Sequence, residues 1–240
     1  MPKLKRHSNL RMYAEVRSSL MESVDSLKDL AEEFRKEFVV VQEDQDELIL
    51  KENPELATGI EIKISPRKIF FGVDACPDYH QFIKALETNL KIISKQIIPK
   101  EILSIGVQGR YLYPIASFQE FSQLAFSWTG NYISSHSLME INDLGVTVYF
   151  REGSLKVNLA CRILTQDQVE EFFSGVTSDD IAKLNLFINI DIATDEPIKM
   201  DSVASNAIGQ AIKEQVHHAT HLIEERLGKE ISIDTSSNAS

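Results

Sequence analysis

Two pairs of side chains stand at spacings that chemistry uses. His217 and His221 are four residues apart, the helical spacing at which two imidazoles reach one metal ion. His218 follows His217 directly, so the glutamate base of an H-E-x-x-H motif is missing. A zinc site asks for three or four ligands, and Glu214 and Glu225 reach the pair only with difficulty. The sequence therefore implies no metal and no cofactor, and an exposed or interfacial histidine pair is the expectation. Cys76 precedes Pro77, a residue suited to the first turn of a helix. A thiol at a helix start loses its proton more readily, and His80, one turn on, is placed to act as its base. A hydrolase also needs an orienting group and an oxyanion site, and no motif supplies either. An ordinary capping cysteine accounts for the pair. Cys76 with His80, or His217 with His221, define the alternative reading: a small-molecule hydrolase or a metal-dependent enzyme.

A broader pattern lies on the strands. Leu186, Ile188, Ile190 and Ile192 alternate with Asn185, Phe187, Asn189 and Asp191, which gives one apolar and one polar strand face. Lys63, Lys68, Gln108, Arg110, Lys156, Asn158 and Arg162 also stand opposite the apolar positions of their strands. With those strands adjacent, Arg110, Arg162 and Lys156 come near Asp191 on one surface. Cross-strand ion pairs on a solvated antiparallel face account for such mixed charge. The functional alternative is a binding surface for an anionic ligand or partner, with Arg110, Arg162, Asp191 and Lys156 as its residues.

The elements that must position these residues follow from periodicity. Tyr13, Leu20, Leu27 and Phe34 recur every seven residues, which predicts one long amphipathic helix over 10–36. Short apolar runs at 38–41 and 48–50 read as a hairpin. Ile60, Ile62 and Ile64, a Ser65-Pro66-Arg67 turn, then Ile69, Phe71 and Val73 read as a second. Phe82, Ile83, Leu86, Leu90 and Ile93 mark a helix; Leu103, Ile105 and Val107 mark a strand. Ser117 with Glu120 caps a further helix. Val146, Val148 and Phe150 turn through Gly153 into the strand 155–163, and Thr165 with Gln168 is a second capping box. The strand 186–192 and a long helix over 202–227 close the pattern.

This order predicts an α+β fold: a mostly antiparallel sheet with helices packed on one face and long helices at both ends. A hairpin-helix-strand-helix order occurs twice. The expected organisation is an N-terminal helix and hairpin (1–58), a first half (59–130), a second half (131–228) and a polar, disordered tail (229–240).

Composition narrows the function. The chain has 240 residues, 43% hydrophobic, with formal net charge −11. That balance argues against nucleic acid, whose phosphates demand a basic surface. No apolar run approaches the roughly 18 residues that span a bilayer, so no membrane partner is expected. Two distant cysteines, Cys76 and Cys161, suit a reduced, cytoplasmic setting. The heptad-like stripe of the N-terminal helix points to a homo-oligomer formed through it. The expectation is a non-enzymatic binding or assembly protein.

Three features together resemble a known family: Gly109-Arg110-Tyr111 at the end of a middle strand, Asp191 inside the last strand, and the histidine-bearing final helix. The family comprises sporadically distributed bacterial proteins of about this length without an assigned function. The chain departs from it at Tyr113 and Pro114, where Asn and a basic residue are usual, and at Leu222, where an aromatic is common. The resemblance implies a bacterial cytoplasmic setting and a shared fold, and no activity.

Overall fold

The computed structural model describes residues 10–19, 25–35, 38–43, 47–53, 59–76, 79–96, 101–119, 121, 145–173, 181–194, 197–199 and 204–230. In chain order these form β1 (Leu10–Ser18), α1 (Asp25–Phe34), β2 (Phe38–Glu43), β3 (Leu48–Glu52), β4 (Ile60–Ser65), β5 (Lys68–Cys76), α2 (Tyr79–Gln96) and β6 (Glu101–Pro114). They continue with β7 (Gly145–Glu152), β8 (Leu155–Thr165), α3 (Gln166–Phe172), β9 (Leu184–Thr194), β10 (Ile198–Lys199) and α4 (Ala204–Glu230). The described strands make one sheet in the order β2-β3-β4-β5-β1-β6-β9-β8-β7, with β10 pairing the start of β6. Every pairing is antiparallel.

Alternation along each strand divides the sheet into two faces. Met12, Ala14 and Val16 of β1, Ile105, Val107 and Tyr111 of β6, and Ile188, Ile190 and Ile192 of β9 are buried on one side. Three helices complete that core. α1 contributes Leu27, Leu30, Ala31 and Phe34; α2 contributes Phe82, Leu86, Leu90 and Ile93; α4 contributes Ile208, Ile212, Val216, Ala219 and Ile223. Each is an amphipathic stripe whose large side chains stabilise the fold by roughly 1.5–3 kcal/mol apiece on burial. Gln215 of α4 anchors this layer: its buried Nε2 donates to the carbonyl of Ile105 at 3.2 Å. The N–H of Ile105 donates to Thr194 Oγ1 at 3.0 Å, just where β9 ends. Among the described residues no helix is long and apolar enough to cross a membrane.

Three expectations need correction. The helix over 10–36 is a strand followed by a ten-residue helix. Met12, Ala14 and Val16 alternate with Arg11, Tyr13, Glu15 and Arg17, a period of two that suits a strand held between β5 and β6. The seven-residue recurrence therefore runs across two elements. Tyr13 lies on the polar sheet face, Leu20 is outside the described residues, and Leu27 and Phe34 are in the core. The helix surface expected to join two subunits is thus not present as such. Second, the helices do not all share one face. α3 packs on β8 and β9 from the other side, where Val169 and Phe173 meet Leu112, Leu164, Ile181 and Phe187. Third, the repeated order does not give a repeated structure. β1 is inserted between β5 and β6, whereas β8 pairs directly with β9; α2 and α3 lie on opposite faces. The capped helix expected from Ser117 falls largely outside the described residues, as does the polar tail.

These placements separate two outcomes for Leu27, which is 6% exposed. Leu27→Glu puts a carboxylate into the core beneath α1. It should lower unfolding free energy by at least about 3 kcal/mol in urea denaturation, since even truncating such a leucine costs about 2–5 kcal/mol. A stable, folded variant with only a smaller sedimentation coefficient would restore the shared-helix picture.

Candidate functional site

The second face of the sheet carries the charges, and its two ends treat them differently. Around β3, β4, β5 and β1 the cations have carboxylate partners. Lys63 lies 3.4 Å and Lys51 4.0 Å from Glu61; Arg17 and Lys68 share Glu15 at 2.5 and 3.8 Å. Two of these pairs lie within a strand and two cross between strands, Lys51–Glu61 and Lys68–Glu15, as on an ordinary solvated face.

Lys63 also lies 5.6 Å from the Phe70 ring centre; toward β6, β9 and β8 three arginines lie on aromatic rings. The Arg110 guanidinium sits 5.4 Å from the Tyr13 ring centre, and Tyr13 stacks on Phe70 at 5.6 Å. Gly72 makes room for that stack: a Cβ there would meet the Phe70 and Tyr13 rings at 2.9–3.0 Å. Arg162 sits 4.7 Å from Phe172 and 5.6 Å from Phe187. Arg11, opposite Arg110 in the β1–β6 ladder, lies 5.1 Å from Phe173. Neither Arg110 nor Arg162 has a hydrogen bond or ion pair within 4.0 Å among the described residues. A guanidinium over a ring gains about 0.5–2 kcal/mol and keeps its in-plane N–H donors for another partner.

Arg110 and Arg162 line one cleft of about 420 Å³ with Gln108, Asn189, Thr147, Ala160, Gly145, Phe172, Phe173 and Phe187. Pairing explains the convergence. Arg110 faces Asn189, Asn189 faces Ala160, and Arg162 is two residues further along β8. Strand spacing then puts the two arginine Cα atoms roughly 12 Å apart, within joint reach of two long side chains. Gly109 sets this geometry from below. The Tyr111 ring folds back beneath it, so that a Cβ at 109 would stand 2.6–2.7 Å from the ring and its hydroxyl.

Asp191 stands beside the cleft, opposite Gln108 and Asn158. Its Oδ2 accepts from Asn189 Nδ2 at 3.0 Å and Asn158 Nδ2 at 3.3 Å. Burial pushes its pKa above the usual 3.8, against the opposing pull of Asn189, Gln108, Arg110 and Asn158. The folded protein therefore holds this proton to a higher pH than the unfolded chain does. The stability so linked is complete below pH 3.8 and is lost as pH rises through the folded pKa. Lys156 faces Ala193, further along β8, and is exposed and outside the cleft lining. Of the four residues read from the sequence, the structure brings Arg110 and Arg162 into one cleft, puts Asp191 at its border and leaves Lys156 apart.

His80, His217, His218 and His221 lie on the other side of the sheet. His217 and His221 are exposed on α4, and Tyr79 packs edge-on against His217 at 5.4 Å. His80 is 6.1 Å from His217 between ring centres. His218 Nε2 lies 3.1 Å from Glu152 Oε2, tying α4 to the β7–β8 hairpin. Among the described residues no three potential ligands come together as a metal site. Cys76 is the last residue of β5, with α2 starting at Tyr79, so it is not the first residue of a helix; its side chain and Pro77 lie outside the described residues.

Sequence reasoning missed the aromatic supports and the small residues of the cleft. One signal was present: Phe187 is the single aromatic among Asn185, Asn189 and Asp191 on the polar positions of its strand. No model of a known protein family matches this chain, and no curated protein matches it.

Two outcomes follow. Gly109→Ala should destabilise the protein by about 1–3 kcal/mol in urea unfolding, because Tyr111 must leave its buried position; a change under about 0.5 kcal/mol, ordinary for a surface site, would contradict the packing. Arg110→Gln removes a charge that favours ionised Asp191, so Asp191 should titrate at a still higher pH by carboxyl-carbon NMR. An unchanged or lower value would mean that Arg110 does not act on it.

Proposed function

We propose that this is a non-enzymatic binding protein that captures a small oxyanion between Arg110 and Arg162. One observation carries the reading. Cations at one end of the polar face are ion-paired to Glu15 and Glu61, while these two guanidinia lie on aromatic rings with no hydrogen bond or ion pair within 4.0 Å among the described residues, Asp191 acting on Arg110 only from further off. Guanidinia 4.7–5.4 Å from ring centres, with no ion pair on their N–H groups among the described residues, have donors to offer a carboxylate or phosphate. The other polar side chains of the lining are two amides and a threonine hydroxyl, Gln108, Asn189 and Thr147; both amides bond Asp191, and the Thr147 hydroxyl has a donor for an anion.

Each charge-assisted hydrogen bond contributes about 1.5–3 kcal/mol, so removing one arginine should weaken an anion by roughly tenfold or more. Calorimetric titration with pyrophosphate tests this. Arg162→Gln should bind at least tenfold more weakly than the parent with an unchanged circular dichroism spectrum. Equal affinity in the two proteins would overturn the assignment.

A further inference from the structure

The cleft has a second sector that oxyanion binding alone does not use, and we infer that its ligand is a planar aromatic ring bearing a carboxylate or phosphate. The inference rests on the oxyanion reading above and names the rest of the ligand.

Three observations support it. First, the floor is low where a ring would lie. Ala160 stands between Asn189 and Thr147 in the ladder, and Gly145 is directly opposite Arg162. Beside Arg162, Asn189 and Phe187, these small residues leave a depression. Nothing in the backbone demands a glycine at 145: a Cβ there would make only ordinary contacts, at 3.9 Å to the Cys161 carbonyl and 4.0 Å to Arg162. Second, the walls are flat. Phe172 is 39% exposed, with its ring against Arg162 at the cleft margin. Arg110 has Tyr13 against one side of its guanidinium, and a guanidinium has two faces on which rings stack. Third, the polar groups beside the floor are amides. Asn189 donates its Nδ2 to Asp191, which leaves its Oδ1 as an acceptor for a ring N–H or O–H. At about 420 Å³ the space falls in the range of small-ligand sites, about 300–1,000 Å³, and exceeds what a bare phosphate or acetate fills.

A saturated ligand of equal size would gain the apolar contact but not the stacking on guanidinium and phenyl faces. The ring should therefore matter as a ring. Two sources share this chemistry, an aryl carboxylate and an aryl or nucleoside phosphate.

The test is a calorimetric series on the full chain with methyl phosphate, phenyl phosphate, adenosine monophosphate, benzoate and cyclohexanecarboxylate. Phenyl phosphate should bind at least tenfold tighter than methyl phosphate, or benzoate at least tenfold tighter than cyclohexanecarboxylate; whichever holds names the source. Ala160→Leu fills the floor and should abolish the ring's advantage while methyl phosphate binds within about twofold of the parent. Gly145→Val fills the flank and should do the same, which guards against one variant failing to fold. Equal binding of ring and non-ring partners, with methyl phosphate still bound, overturns the aromatic ligand and leaves the oxyanion reading standing. A ring advantage that survives both substitutions overturns this seat for the ring. Absence of binding by every anion overturns the oxyanion reading, and this inference with it.

Discussion

The division of this molecule into a core face and a polar face depends on the register between β6 and β9. Their ladder runs from Gly106 opposite Ala193 to Pro114 opposite Asn185. Val107 meets Ile192, Tyr111 meets Ile188 and Tyr113 meets Leu186 beneath the helices. A slip of one residue would turn one strand over. On β6 it would send Arg110 and Gln108 into the core and bring Tyr111 and Val107 out. Burying unpaired charge costs several kcal/mol, so the apolar pairs and the polar pairs enforce the same register from opposite sides. Where β9 ends, Thr194 and Gln215 take up the backbone groups of Ile105. The helix layer is thereby tied to the strand that carries Arg110.

The polar face then solves a single electrostatic problem in two ways. A carboxylate beside a cation neutralises it and also occupies its donors; this is what Glu15 and Glu61 do. A ring stabilises the cation through its face and leaves those donors in place. Tyr13, seated by Gly72, and Phe172 with Phe187 do this for Arg110 and Arg162. The aromatic supports come from three places: β1, the end of α3, and β9. α3 lies on the polar face because Leu112, Leu164 and Phe187 give Val169 and Phe173 an apolar seat there. That small second core is what raises a wall beside an otherwise flat sheet.

Much of this was legible in residue order. Alternation in 60–64, 69–73 and 186–192 matches β4, β5 and β9, and the Thr165–Gln168 capping box is present with both hydrogen bonds. Gly153, in the turn read between β7 and β8, has a φ of 58°. Arg110 and Arg162 were read on the polar face because strand parity is local information. Their aromatic partners were not. Tyr13 reaches Arg110 only if residues 10–18 are a strand next to β6, and the seven-residue recurrence of Tyr13, Leu20, Leu27 and Phe34 masked the two-residue alternation that makes them one. The side taken by α3 was equally hidden, since a seven-residue helix can pack on either face and only the pairing of β9 with both β8 and β6 assembles its apolar seat.

The central claim is that Arg110 and Arg162 form one anion site. Arginine Nε–Hε NMR spectra, followed while inorganic phosphate is added at constant ionic strength, test it most directly. The account predicts that the Arg110 and Arg162 signals move together, saturate with one dissociation constant, and leave the ion-paired Arg17 in place. Small, non-saturating shifts spread evenly over all arginines would contradict it.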